Sequence, residues 1–348
     1  MLCGAFATNI MFALYVVTLL AQPTELTETL KAETLNEFAR ELDRSYVHRD
    51  VAKRIGAEFD KWKLTPDYEQ VSSGEEFANR INAIMRGQVT DGHLSIRYSA
   101  EKLPPRQERM KPSQEEIAQD QKMMRMTNAG FTKVERLGGN IGYVKINQFF
   151  QLADSKRPIQ ASMKFLSNTD AMIIDLREHR GGHSETADFF TSIFFDPKAP
   201  VKFWDVYDRL QDKKFAVWSS KNTMGLRYTK PIYVLISGAT GSAGESVAYN
   251  LQAYKRSTTI GSKSYGIANM GNFFRINDHF MSLIPFAQGR NPVTGTNWEK
   301  VGVVPEIKAS ITESLVEAQK LALENLMSAT QDPSDKAALS GALARLKA

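Results

Sequence analysis

Apolar positions recur at spacings of three and four through the first third of the chain. Leu35, Phe38, Leu42 and Tyr46 form one series, Ile55, Phe59 and Trp62 a second, and Phe77, Ile81, Ile84 and Met85 a third. That is the period of a helix with one face turned to a core, so residues 26–86 read as three amphipathic helices in a small bundle. Ser73-Gly74-Glu75-Glu76 is a capping box in front of the third helix, and the polar stretch 63–73, with Pro66, reads as a loop. At Thr90-Asp91-Gly92-His93 the period changes to two. Asp-Gly signals a turn, and His93 to Tyr98 alternates as a strand. Residues 99–130 are polar and broken by Pro104-Pro105, with one helix expected from the Ser113-x-x-Glu116 cap to about Met126. This connector is too short for an inserted peptide-binding domain, which takes ~90 residues at ordinary domain sizes. The cluster Met123-Met124-Arg125-Met126 reads as packing rather than a metal site.

From residue 134 onward short strands alternate with helices. Strands are expected at 140–146, 171–176, 201–206, 215–218, 232–236, 258–260, 273–276 and 281–284. Helices are expected at 159–166, 185–195, after the strand 232–236, at 315–327 and at 337–346. Two of the strands, Ala171 to Leu176 and Ile232 to Ile236, are nearly unbroken apolar runs, as in strands covered on both faces. The alternation predicts α/β layering around a partly parallel sheet.

Composition adds mainly exclusions. The chain has 348 residues, a 42% hydrophobic and 24% charged content, and a net charge of +5. No long basic run interleaves with aromatics, so nothing points to nucleic acid. The single cysteine, Cys3, excludes a disulfide framework and a Cys-rich metal site. Residues 1–21 carry no charge, Ile10 to Leu20 is nearly all apolar, and Ala21, Gln22 and Pro23 suit cleavage. Residues 1–22 are therefore expected to be a signal peptide or N-terminal anchor, although no Lys or Arg precedes the apolar run. Cys3 lies ahead of that run, which does not fit a lipoprotein cleavage site. The expected location is exported: periplasmic, extracellular or membrane-anchored, with any membrane attachment made only through residues 1–21.

Three segments carry candidate chemistry. In Pro231 to Glu245 a buried strand breaks into Ser237-Gly238-Ala239-Thr240-Gly241-Ser242-Ala243-Gly244 and resumes at helical spacing. Ser242 then sits at a strand–turn–helix junction, where the amides opening the next helix point outward unpaired, as in the elbow of serine hydrolases. Thr240 stands where that elbow has its first glycine, so the pattern is incomplete, and a serine capping a helix is the plainer alternative. In Ile173 to Gly182 a second buried strand ends in a loop with paired glycines, free to turn an N–H towards a ligand. In Asn291 to Glu299 a turn-rich loop carries a carboxylate beside Trp298, placed to orient a histidine or hold a loop. His93, next to a turn, would not by itself suggest catalysis.

Taken in order, Asp91-Gly92-His93-Leu94, Gly139-Asn140-Ile141-Gly142-Tyr143, Asp175-Leu176-Arg177 with Gly181-Gly182, Gly241-Ser242-Ala243-Gly244-Glu245, Gly266-Ile267-Ala268-Asn269 and Asn291 to Glu299 ending at Pro305 resemble the tail-specific (C-terminal-processing) serine peptidase family. The resemblance lies in the branch that includes interphotoreceptor retinoid-binding protein and the tricorn protease core, and it covers roughly residues 26–330. It implies an α/β (α+β) fold, a ClpP/crotonase-like ββα core behind an N-terminal helical bundle. The implied division is 1–22 leader or anchor, 23–88 helical domain, 89–330 peptidase core without a PDZ domain, and 331–348 helical tail.

The resemblance puts the nucleophile at Ser242. Many family members activate it with a lysine, but Ile267 stands at that position here, and Lys263 lies on the wrong side of the turn. The tricorn-like branch uses a histidine and a glutamate, which match His93 and Glu299. Its further serine is replaced by Gly92. The amides of Ala243 and of Gly181 or Gly182 would form the oxyanion hole. The implied activity is a serine-type endopeptidase acting on peptides or unfolded protein, with no cofactor and no metal, and oligomerisation left open. The same fold also supports two other readings: a binding protein for retinoid-like or fatty ligands, and a crotonase-type acyl-thioester enzyme.

Overall fold

The computed structural model describes residues 26–104 and 114–347. The apolar segment 1–21, with its expected leader or anchor, lies outside the described residues, as does the Ser113 cap. No described helix is long and apolar enough to cross a membrane.

Four helices open the fold: α1 (Glu28–Ser45), α2 (Arg49–Trp62), the short α3 (Pro66–Gln70) and α4 (Gly74–Gln88). The three periodic stripes converge as expected. Leu35, Phe38, Ile55, Phe59, Phe77 and Ile81 are fully or almost fully buried in one cluster. Each such side chain contributes on the order of 1.5–3 kcal/mol on burial. Pro66 starts a helical turn inside the expected loop, at the N-terminal position where its missing N–H costs nothing. The same cluster includes Leu94, Ile96, Phe280 and Ile284, so the helices are packed onto strands that follow rather than standing apart.

The chain continues through β1 (Ser95–Tyr98), α5 (Gln114–Met126), β2 (Phe131–Leu137), β3 (Ile141–Ile146), α6 (Leu152–Phe165), β4 (Ala171–Asp175) and α7 (Ser184–Ser192). Then come β5 (Lys202–Asp208), β6 (Lys213–Trp218), β7 (Ile232–Ile236), α8 (Ala243–Ala253) and β8 (Thr258–Gly261). The last elements are β9 (Met270–Arg275), β10 (Phe280–Arg290), β11 (Ile307–Lys308), α9 (Ser314–Ala329) and α10 (Pro333–Lys347). One sheet runs β11-β8-β7-β4-β3-β2, parallel except where β2 meets β3. The other is antiparallel, β1-β10-β5-β6, with β9 also on β10.

The parallel sheet explains the apolar runs. Met172, Ile174, Val234 and Ile236 face a core shared with α6, α7 and α8, while Ile173, Tyr233 and Leu235 face α9 and α10. Neither face meets water, so no polar residue interrupts the strands. Because β4 and β7 run parallel, their C-terminal ends lie side by side, and the loops into α7 and α8 open at one edge of the sheet.

Candidate active site

Ser242 joins β7 to α8 with φ 52° and ψ −115°, a backbone conformation that side chains other than glycine rarely adopt. Such a residue costs about 1–3 kcal/mol and persists only where its surroundings hold it. The holder is Glu245. Its fully buried carboxylate accepts the N–H of Ser242 at 2.8 Å, of Gly266 at 2.7 Å and of Ile267 at 3.1 Å, and the Ser264 hydroxyl. Burial pushes this carboxyl up, against the pull of those donors. Glu245 therefore ties the elbow to the loop 264–267. Glu245→Gln turns one acceptor atom into an amide that faces existing donors. We expect a loss of about 2–4 kcal/mol in a thermal or urea melt and a fall of at least about tenfold in turnover as the elbow relaxes.

The Ser242 side chain faces the Glu245 N–H in a capping-box arrangement, has no other polar partner among the described residues, and lines a cavity of about 1050 Å³. His93 lines the same cavity. Its Nδ1 lies 2.7 Å from the carbonyl oxygen of Asn269. A carbonyl only accepts, so Nδ1 carries the proton, and Nε2 of the neutral ring has a free lone pair. Burial lowers the His93 pKa, opposed by the charge of Asp91 and by the Asn269 carbonyl. No hydrogen bond joins Ser242 to His93 directly; catalytic contacts of this kind commonly close only around substrate.

Glu299 reaches His93 through the backbone, not by touching the ring. Its Oε2 accepts the N–H groups of Ala268 at 2.7 Å and Asn269 at 3.0 Å. It thereby fixes the loop whose carbonyl holds His93. Burial, then the charge of Asp91, pushes its carboxyl up to about 7. Asp91 is a further member that spacing did not disclose. It accepts the His93 N–H at 3.1 Å, the Asn269 side-chain amide at 3.2 Å and the Tyr46 hydroxyl at 3.0 Å. Tyr46 ends α1, so the helical region buttresses the histidine turn.

Of the paired glycines, only one has an N–H to offer. The Gly181 N–H is spent on Nδ1 of the buried His179, 3.0 Å away. The Gly181 carbonyl accepts from Phe149 N–H at 3.0 Å. In a trans peptide the next N–H points the opposite way, so the Gly182 amide is turned from Phe149, and Gly182 lines the cavity. Both glycines are required: a Cβ on Gly182 would lie 2.0 Å from the Phe149 oxygen, and one on Gly181 2.9 Å from the Ser242 Cβ. The Ala243 amide, at the first position of α8, also lines the cavity and has no partner among the described residues.

Ile267 packs against the turns that carry Ser242 and His93. A Cβ on Gly92 would meet its Cγ2 at 2.3 Å, and one on Gly241 its Cδ1 at 3.5 Å. The isoleucine thus excludes a serine at position 92. Lys263 is exposed and away from the cavity.

Residues 140–309 match the family model described as peptidase family S41. A carboxy-terminal-processing protease of Bartonella bacilliformis is 29% identical over 178 residues, covering 49% of this chain and 39% of the relative. A chloroplastic carboxyl-terminal-processing peptidase 2 of Arabidopsis thaliana is 26% identical over 168 residues, covering 48% of this chain and 31% of its own. The chain thus spans less than half the length of these relatives. Among solved structures, a lipoprotein from Streptococcus agalactiae aligns with TM-score 0.54 at 15% identity, covering 84% of this chain and 96% of that one. The photosystem II D1 C-terminal processing protease aligns with TM-score 0.51 at 12% identity, covering 82% and 94%. At these identities the structures speak for the fold alone.

Proposed function

We propose that the chain is a serine peptidase that hydrolyses peptides or unfolded protein, on the footing that residues 140–309 match the model of peptidase family S41. Ser242 Oγ attacks the scissile carbonyl. His93 Nε2 takes the hydroxyl proton and returns it to the leaving amine. The tetrahedral oxyanion is met by the N–H groups of Ala243 and Gly182. Water, deprotonated by the same nitrogen, then releases the acyl group and restores Ser242. Glu299 is a positioning residue here: it holds the 268–269 peptide, and Asn269 holds the imidazole. No lysine takes part.

The observation that carries this reading is the His93–Asn269 bond. It fixes the tautomer and leaves Nε2 as a base in a cavity that also contains a serine at a strained backbone position. In this reading residues 89–330 form the peptidase core, 23–88 the helical domain in front of it and 331–348 a helical tail. The uncharged apolar stretch 1–21 supports export. The test is digestion of unfolded casein by the full chain, with Ser242→Ala as control. Fragments from the wild type alone support the proposal; fragments from both, or from neither, refute it.

A further inference from the structure

Asp188 sits one turn into α7 and lines the cavity, half-buried. Leu152, Phe189, Trp204 and Val217 also line the cavity and give it an apolar share. The one donor set against that carboxyl is the Trp204 indole N–H. That satisfies one of about four acceptor positions on a carboxylate. Burial pushes the carboxyl up to about 7, and the neighbouring charge of Glu185 acts in the same direction. The other charged or titratable groups lining the cavity are Arg97 of β1, Arg180 of the loop before α7, Asp208 of β5, Tyr265 of the loop after β8 and His93. None of them forms an ion pair with Asp188 among the described residues. A carboxyl half-withdrawn from water, with one neutral donor and no ion pair, keeps acceptor positions open to a cation entering the cavity.

The position suits a substrate side chain. Gly182, which offers an oxyanion donor, lies two residues before the start of α7, and Asp188 lies four residues into that helix, roughly 6 Å along its axis at 1.5 Å per residue. A Lys or Arg can lay its methylene stem along apolar walls and keep its charge for a polar tip. Exposed Glu185, also lining the cavity, adds negative charge of the same sign. We propose that Asp188 is a specificity-determining residue that receives the charged tip of a Lys or Arg side chain adjoining the bond to be cut. The proposal rests on the peptidase reading above. A cation pairs with the ionised carboxylate, so selectivity rises with pH through the range where Asp188 loses its proton.

The experiment is a set of otherwise identical peptides with Lys, Arg, Leu or Met beside the cleavage site, given to the full chain and to Asp188→Asn. The readout is the ratio of kcat/KM for Lys to that for Leu, between pH 6 and 8. We expect the wild-type ratio to exceed one and to rise severalfold across that range. In the variant, whose amide can still accept from Trp204, it should drop at least tenfold and become flat. A wild-type ratio below one, or a ratio and pH slope unaltered in Asp188→Asn, overturns the proposal. Binding of the same peptides to Ser242→Ala, by fluorescence anisotropy, separates this inference from the chemistry. If the chain cuts nothing, tighter binding of the Lys peptide that is lost in Ser242→Ala/Asp188→Asn still supports the pocket, and equal binding refutes it.

Discussion

Replacing Ser242 by alanine lowers peptide hydrolysis by at least about 10⁴-fold, the scale on which serine hydrolases lose turnover with their nucleophile, while the protein stays folded. Two features separate the effects. The Ser242 hydroxyl donates to nothing among the described residues and faces only the Glu245 N–H at the start of α8, so the native state loses at most one capping contact with it. Alanine at φ 52° is strained much as serine is, and the Glu245 carboxylate still accepts the amide of residue 242. The expected change in stability is therefore within about 1 kcal/mol. The measurement is kcat/KM beside a melting curve. A variant that unfolds, or that keeps more than a hundredth of the activity, would show that the elbow serves another purpose.

His93→Ala should cost about 10²–10⁴-fold, the range for removing a general base, and the wild-type pH profile should identify the same group. Proton abstraction needs neutral imidazole, so the rate falls as His93 gains a proton. Its pKa is lowered by burial. Activity should accordingly stay level down through pH 6.5, the ordinary histidine value, and decline only below it. Glu299, pushed up to about 7, offers a contrast. If its ionisation governed the rate through the 268–269 loop, the decline would begin near neutrality. Glu299→Gln decides between them: a limb that persists in that variant belongs to His93.

What the sequence disclosed follows from how each residue acts. The strands β4 and β7 were legible because both faces are covered, and a continuous apolar run of five or so residues between turn signals fits little besides a buried strand. The three long helices of the N-terminal region were legible from side-chain period. Strand β2 was not expected, because Phe131–Leu137 lies at the sheet edge with Thr132, Lys133 and Arg136 exposed, so its pattern is mostly polar. The far half of β10 was lost because Pro285 and Gly289 look like breaks, yet the strand bulges at Pro285 and continues to Arg290. In the site, Ser242 and the glycine pair stand out because backbone conformation demands special residues there. Asn269 does not, since it works through a carbonyl that every residue has. Glu245 was visible only as a residue at the start of a helix, and the convergence of its four donors arises in three dimensions. The sequence also pairs Glu299 with His93 but not the peptide between them, and Gly181 with Gly182 but not the histidine that takes one of their two amides.

Activation of a Ser242 nucleophile by His93 is open to intact-protein mass spectrometry after exposure to a fluorophosphonate probe. The expected result is a single adduct, mapped to Ser242, that forms at least about a hundredfold more slowly in His93→Ala. A folded wild-type protein that remains unmodified at high probe concentration, or an adduct that forms equally fast without His93, would contradict it.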